Sequence, residues 1–298
     1  MKKIVITGAT GQIGLAIIDI AIEHHCEVIC LVNPTSSRKA KIPNHPLVHI
    51  ESCVLSDYAL YSTETSDCDV FFHLAWANTI GASRDDVQSQ ISNIQYTLDA
   101  VNLAQRMGCS VFIGAGSQAE YGAVDKPITP YMPCFPTSGY GIAKHAAGLL
   151  AKLRCKQLNM RFNWARVLSV YGENDGSETF ISYLLEKLSN NQKPALTLCE
   201  QQWDYLHSED AGRAFWSVGK SGIDGKIYTL GFGQGHLLCH YVEEIYRQTK
   251  ASCGLGFGEK PYYPHQPMYL VADISELTKD TGWTPEVSFE EGIKKMIN

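Results

Sequence analysis

Ile4-Val5-Ile6-Thr7-Gly8-Ala9-Thr10-Gly11-Gln12-Ile13-Gly14 is the stretch whose reading decides the fold. A short β-branched run ends in a turn of spaced glycines, and an amphipathic segment from Gln12 to His24 follows at once. Strand, glycine turn and helix in that order suit a dinucleotide. Glycine permits a positive φ in the turn, its missing side chain lets the backbone approach a pyrophosphate, and the helix N-terminus offers free N–H groups. Gly8, Gly11 and Gly14, with Thr10, Gln12 and Ile13 among them, are the candidate contacts. A glycine turn that merely joins strand to helix is the plainer alternative, and the agreement of strand, spacing and helix speaks against it.

The same rhythm continues downstream, predicting strands at Val28-Val32, Leu47-Ile50, Val70-Leu74, Val111-Gly114 and Phe162-Leu168, with helices near Gln88-Met107 and Tyr140-Leu158. Such alternation implies an α/β fold, a Rossmann-type doubly wound parallel sheet with ligands at the carboxyl ends of its strands. Residues 1–172 read as the dinucleotide-binding domain, with a returning segment near 203–232. Residues 173–298 read as mainly a smaller, mixed α/β substrate-binding subdomain, helical around Phe180-Leu188 and rich in Gly and Pro from Gly254 to Pro267.

Composition narrows the function. The 298 residues are 45% hydrophobic, enough for a substantial core, and 25 basic against 31 acidic residues leave a net charge of -6. Without a basic run to track a phosphate backbone, nucleic acid is not an expected partner. Neither a leader ahead of Ile4 nor a bilayer-spanning run is apparent, so a cytoplasmic protein off the membrane is expected. The ten cysteines lie scattered, without zinc spacing; they read as reduced packing residues, and no metal is expected.

The second strand normally ends on an acidic residue that binds the adenine ribose, whereas here the chain reads Leu31-Val32-Asn33-Pro34-Thr35-Ser36-Ser37-Arg38. A carboxylate repels a 2′-phosphate; Asn33 and Arg38 can donate to one. NADP(H) is therefore favoured over NAD(H), the alternative being a solvated loop beside an NAD site.

Tyr140-Gly141-Ile142-Ala143-Lys144 sets a phenol and an ammonium four residues apart on one helix face. A neighbouring cation favours the phenolate, so Tyr140 can act as the acid in carbonyl reduction and the base in alcohol oxidation. Lys144 would also hold the nicotinamide ribose. Tyr-x-x-x-Lys alone is commonly just a half-buried ring beside a solvated lysine. Here it is joined by Ser117, a hydroxyl at a strand's carboxyl end that can donate to the substrate oxygen.

These residues together resemble the extended short-chain dehydrogenase/reductase family, largely nucleotide-sugar epimerases, dehydratases and reductases, over nearly the whole chain. Thr7 to Gly14 resembles its cofactor fingerprint, His73-Leu74-Ala75 the end of its fourth strand, and Asn93 its central-helix asparagine. Ser117, Tyr140 and Lys144 resemble its catalytic set, while Arg166 to Gly172, Trp203 to Asp210 and Gly282-Trp283-Thr284-Pro285 resemble later landmarks. The resemblance implies that Leu74 and Ala75 line the cofactor site, and that Gln118, Ser169 and Trp203 face the substrate, a nucleotide sugar.

Departures from the family pattern are informative. Its dehydratases place an acidic pair after the strand-end hydroxyl, where this chain has Gln118 and Ala119; Glu120, one residue on, should face elsewhere. Its epimerases commonly carry an asparagine at the position of Ser169, an arginine at that of Trp203 and another ahead of Ala272-Asp273, so the diphosphate clamp is weakened or rebuilt. Several runs resemble 4-keto reductases of nucleotide sugars more than galactose epimerases. An NADPH-dependent 4-keto reductase is the leading expectation. The alternatives are an NAD-dependent 4-epimerase and a catalytically silent dinucleotide-binding protein. Apolar residues on more than one face of Gln88-Met107 and Tyr140-Leu158 resemble the family's four-helix contact and imply a homodimer.

Overall fold

The computed structural model describes residues 1–262 and 266–297; part of the Gly- and Pro-rich passage, residues 263–265, lies outside them. Six strands of the first half, β1 (Lys3–Thr7), β2 (Glu27–Val32), β3 (Val48–Ser52), β4 (Val70–His73), β5 (Val111–Ser117) and β6 (Arg161–Val167), pair in parallel. Between them run α1 (Gln12–Glu23), α2 (Val87–Arg106) and α3 (Gly139–Gln157). The strands are apolar on both faces because both faces are covered. In β1, Ile4 and Ile6 join a core shared with Ile17 and Ile18 of α1, while Val5 points the other way, into one shared with Val101 and Ala104 of α2 and Ala147 of α3.

Beyond Tyr171 come β7 (Ser169–Tyr171), α4 (Phe180–Ser189), β8 (Gln202–Trp203), β9 (Tyr205–His207) and α5 (Ser208–Ser221). They are followed by β10 (Ile227–Leu230), β11 (His236–Leu237), α6 (Leu238–Thr249), β12 (Tyr269–Leu270), α7 (Ser275–Thr281) and α8 (Phe289–Ile297). β10 adds to the edge of the main sheet, giving seven strands in the order β10-β6-β5-β4-β1-β2-β3, and α5 packs beside α1 through Ala211 and Phe215. A separate core forms around Leu184, Leu188, Val242 and Ile245 of α4 and α6, beside the small sheet β11-β8-β12. Strand order reverses between β1 and β4, which opens a crevice at their carboxyl ends.

All ten cysteines are free, and seven of them (Cys26, Cys30, Cys53, Cys68, Cys109, Cys155 and Cys199) are buried. Among the described residues no helix is long and apolar enough to cross a membrane, and no cluster of His, Cys, Asp and Glu could hold a metal ion.

Candidate active site

The crevice is built first from backbone. Gly8 has φ 73°, and a Cβ there would stand 2.8 Å from the Ala75 nitrogen; one on Gly14 would stand 2.5 Å from the Gly8 carbonyl oxygen. The first turn of α1 thus packs directly beneath the loop, as close backbone approach requires. Below it Thr7 Oγ1 lies 2.9 Å from His73 Nδ1, tying the ends of β1 and β4 together. Burial pushes the imidazole down to about 3, so His73 is a neutral strut.

A cavity of about 300 Å³ lies against this corner, lined by Gly8, Ala9, Thr10, Val32, Asn33, Ser36 and Ala75 among others. A cradle that a Cβ would fill, at a helix N-terminus and with no carboxylate at the end of β2, fits a dinucleotide. The predicted contacts do not all face it. Ile13 packs against the core, Leu74 likewise, and Gln12 donates to the Val170 carbonyl at 3.1 Å and to Asp175 at 3.2 Å. Asn33 accepts from Thr35 within its own turn, and the Arg38 guanidinium reaches across to the Asn174 carbonyl.

Ser117 ends β5, and Tyr140 and Lys144 project from the first turns of α3, whose N-cap Ser138 accepts from Gly141 N. Burial pushes the Tyr140 phenol above its ordinary value, while a hydrogen bond from Ser117 and the charge of Arg84 pull it down. Lys144 is buried, donates to the Ala115 carbonyl at 2.7 Å, and lies 3.8 Å from the centroid of the Trp76 ring. This dry slot pushes its ammonium down to about 7. Trp76 also meets Tyr140 edge-on, ring centroids 6.0 Å apart.

No sequence motif pointed to Trp76, nor to what holds it. The Trp76 indole donates to Gln90 at 2.9 Å, and Asn93 grips the Ala77 backbone from both sides, accepting from its N–H and donating to its C=O at 2.9 Å each. Gln90 and Asn93 share one face of α2, a spacing visible in the sequence, although only Asn93 matched a family position.

Glu120 turns inward, as expected. It is 1% exposed and receives Arg166 Nε at 2.7 Å, Trp164 Nε1 at 2.9 Å and the Ser117 N–H at 2.9 Å, with His145 Nδ1 at 3.6 Å. Gln118 opens the short turn between Ser117 and Glu120 and is partly exposed. The two departing positions meet each other: Trp203 Nε1 donates to Ser169 Oγ at 2.9 Å. Trp203 further lines a cavity of about 910 Å³ against the core of α4 and α6, with Gln201, Tyr183, Phe180 and Lys260. Ser169 is spent on Trp203.

A model of the NAD dependent epimerase/dehydratase family matches residues 4–231. CDP-abequose synthase of Salmonella muenchen is 25% identical over 300 residues, covering 100% of this chain and 97% of its own. The dTDP-4-dehydro-6-deoxyglucose reductase of Escherichia coli is 23% identical, covering 99% of this chain and 96% of its own. Among solved structures, UDP-N-acetylglucosamine 4-epimerase from Methanobrevibacter ruminantium M1 superposes with a TM-score of 0.88 at 21% identity, over 99% of this chain and 98% of that one.

Proposed function

Because the chain belongs to the NAD-dependent epimerase/dehydratase family, we propose that it is an enzyme acting on a nucleotide sugar, and that it reduces a 4-keto group at the expense of NADPH. The carrying observation is the convergence of Ser117, Tyr140 and Lys144 beside the dinucleotide cradle, with Glu120 committed to Arg166. Similarity to a CDP-abequose synthase and a 4-dehydro-6-deoxyglucose reductase supports the reductive reading.

Gly8, Thr10, Gly11 and Gly14 would hold the pyrophosphate, and Asn33 the adenine ribose phosphate, joined by Arg38 on release of the Asn174 carbonyl. The chemistry that a bound nicotinamide would supply is hydride for the carbonyl carbon. Ser117 hydrogen-bonds the carbonyl oxygen, and Tyr140 gives that oxygen its proton. A phenol raised by burial carries this proton at neutral pH, which suits the acid role. Lys144, now against the Ala115 carbonyl and the Trp76 ring, would hold the nicotinamide ribose. In the larger cavity, among the described lining residues, Lys260 is the cation available to a diphosphate, whose usual arginine position is taken by Trp203.

The test is stoichiometric. CDP- and dTDP-linked 4-keto-6-deoxy sugars should each be tried with NADPH, one cofactor being oxidised per sugar reduced. Interconversion of UDP-hexoses with the cofactor retained would favour the 4-epimerase instead. In the same assay NADPH should outcompete NADH by roughly tenfold to a hundredfold, the scale of one charge-assisted contact of about 1.5–3 kcal/mol. Arg38→Ala should erase most of that preference; equal affinities in the unaltered protein would make the loop ordinary solvated surface.

The enzyme is further proposed to be a homodimer. Ile91 of α2 and Ile142, Leu149 and Leu153 of α3 are 51–56% exposed on adjoining helices. Sedimentation at micromolar concentration should show twice the 33.0 kDa of one chain, and Leu149→Glu with Leu153→Glu should return it to one. A single-chain mass for the unaltered protein overturns the dimer.

A further inference from the structure

One charged side chain at the mouth of the site has no task in this scheme. Arg84 sits on the short turn Gly81–Asp85, with its guanidinium carbon 4.5 Å from the centroid of the Tyr140 ring. Its Nε is buried and without a hydrogen-bond partner among the described residues. The turn is latched to both helices that frame the site. Asp85 accepts from the N–H of Gly139, the first residue of α3, at 2.7 Å, and Gln90 donates to the Asn78 carbonyl at 3.0 Å and the Ser83 carbonyl at 3.4 Å. Arg84 is therefore held from the helix that carries Tyr140 as well as from α2.

We propose that Arg84 is a positioning residue for the proton transfer, its charge on the face of the Tyr140 ring holding the phenolate once the proton has left. The inference rests on the reading of Tyr140 as acid and base. A cation over a neutral phenol meets only the ring's quadrupole, whereas over a phenolate it meets a full charge, so the ionised form gains more. That differential is what proton transfer needs.

The lysine one helical turn on is less suited to this than its spacing implies. Lys144 Nζ stands 5.8 Å from the Tyr140 centroid, between the Ala115 carbonyl and the Trp76 ring. Burial there brings its ammonium down to about 7. A guanidinium does not surrender its charge in this way. The charged groups that bear on Tyr140 and its turn are Arg84, Lys144, Asp85, which accepts from Gly139 N, and, behind Ser117, Glu120, which opposes ionisation and is itself matched by Arg166. Arg84 is thus the durable positive charge on the ring.

Fluorine NMR of protein labelled with 3-fluorotyrosine reads the phenol directly, the Tyr140 line being assigned by its loss in Tyr140→Phe. In Arg84→Met and Arg84→Gln the Tyr140 midpoint should rise by about one pH unit, and Arg84→Lys should return part of that rise. A midpoint unchanged in both neutral variants, each with the circular dichroism of the unaltered protein, overturns the proposal. So does a rise in Arg84→Lys as large as in Arg84→Met, since charge would then not be the cause. Failure of the underlying reading looks different: Tyr140→Phe would turn over normally, an outcome that removes the reaction in which Arg84 takes part whatever the midpoint does.

Discussion

Tyr140→Phe should reduce turnover by at least about a hundredfold while leaving NADPH affinity within about a factor of two, the scale expected for loss of a general acid without loss of a binding surface. The substitution removes one oxygen and keeps the ring. The edge contact with Trp76 and the face contact with Arg84 are made by ring carbons, so the walls of the site stay where they are. What disappears is the hydroxyl proposed as the proton donor, whose ionisation the neighbouring Ser117 favours. Steady-state turnover and quenching of nicotinamide fluorescence separate the two quantities. Near-normal turnover on the true substrate would take Tyr140 out of the chemistry, whereas an equal loss of affinity would mean that the ring had moved.

The contrast between what was legible in the sequence and what was not follows from range. β1 to β6 could be read because each is a buried parallel strand with a turn at its end and an amphipathic helix after it, signals that lie within a few residues. The fingerprint glycines belong to the same class, since a Cβ at Gly8 or Gly14 would collide with neighbours fixed by local geometry and by the adjoining strand. The strands of the small sheet, β8, β11 and β12, are two residues each and too short to show any period. Trp76 and Arg84 lie in an irregular stretch whose spacing from Tyr140 carries no information. They reach the phenol only because Gln90, Asn93 and Asp85 pin that stretch to two helices. Lys144 shows the same limit from the other side: spacing gives its position on the helix face, while its lowered ionisation follows from Trp76, a contact across 68 residues of chain.

Glu120→Gln should destabilise the fold by about 3–5 kcal/mol, the cost of leaving a buried charge without its partner. Glu120 and Arg166 side chains are 1% and 3% exposed, and their 2.7 Å contact sits under the strand end that carries Ser117. Glutamine preserves the volume and can still accept from Ser117 N and Trp164, so the loss falls mainly on the guanidinium. The pH dependence should change with it. Burial alone would raise the Glu120 carboxyl, but His145, Arg166, Trp164 and the Ser117 N–H outweigh burial and hold it below its ordinary value of 4.5. A carboxyl depressed in the folded state contributes stability that is fully present above its unfolded value and is lost as pH falls through its folded one. The unaltered protein should therefore lose stability steeply below about pH 4, and Glu120→Gln should lose correspondingly less over that interval. Urea midpoints measured from pH 3 to 7 check both statements. Parallel acid limbs for the two proteins would show that Glu120 is not the group whose protonation loosens the floor of the site.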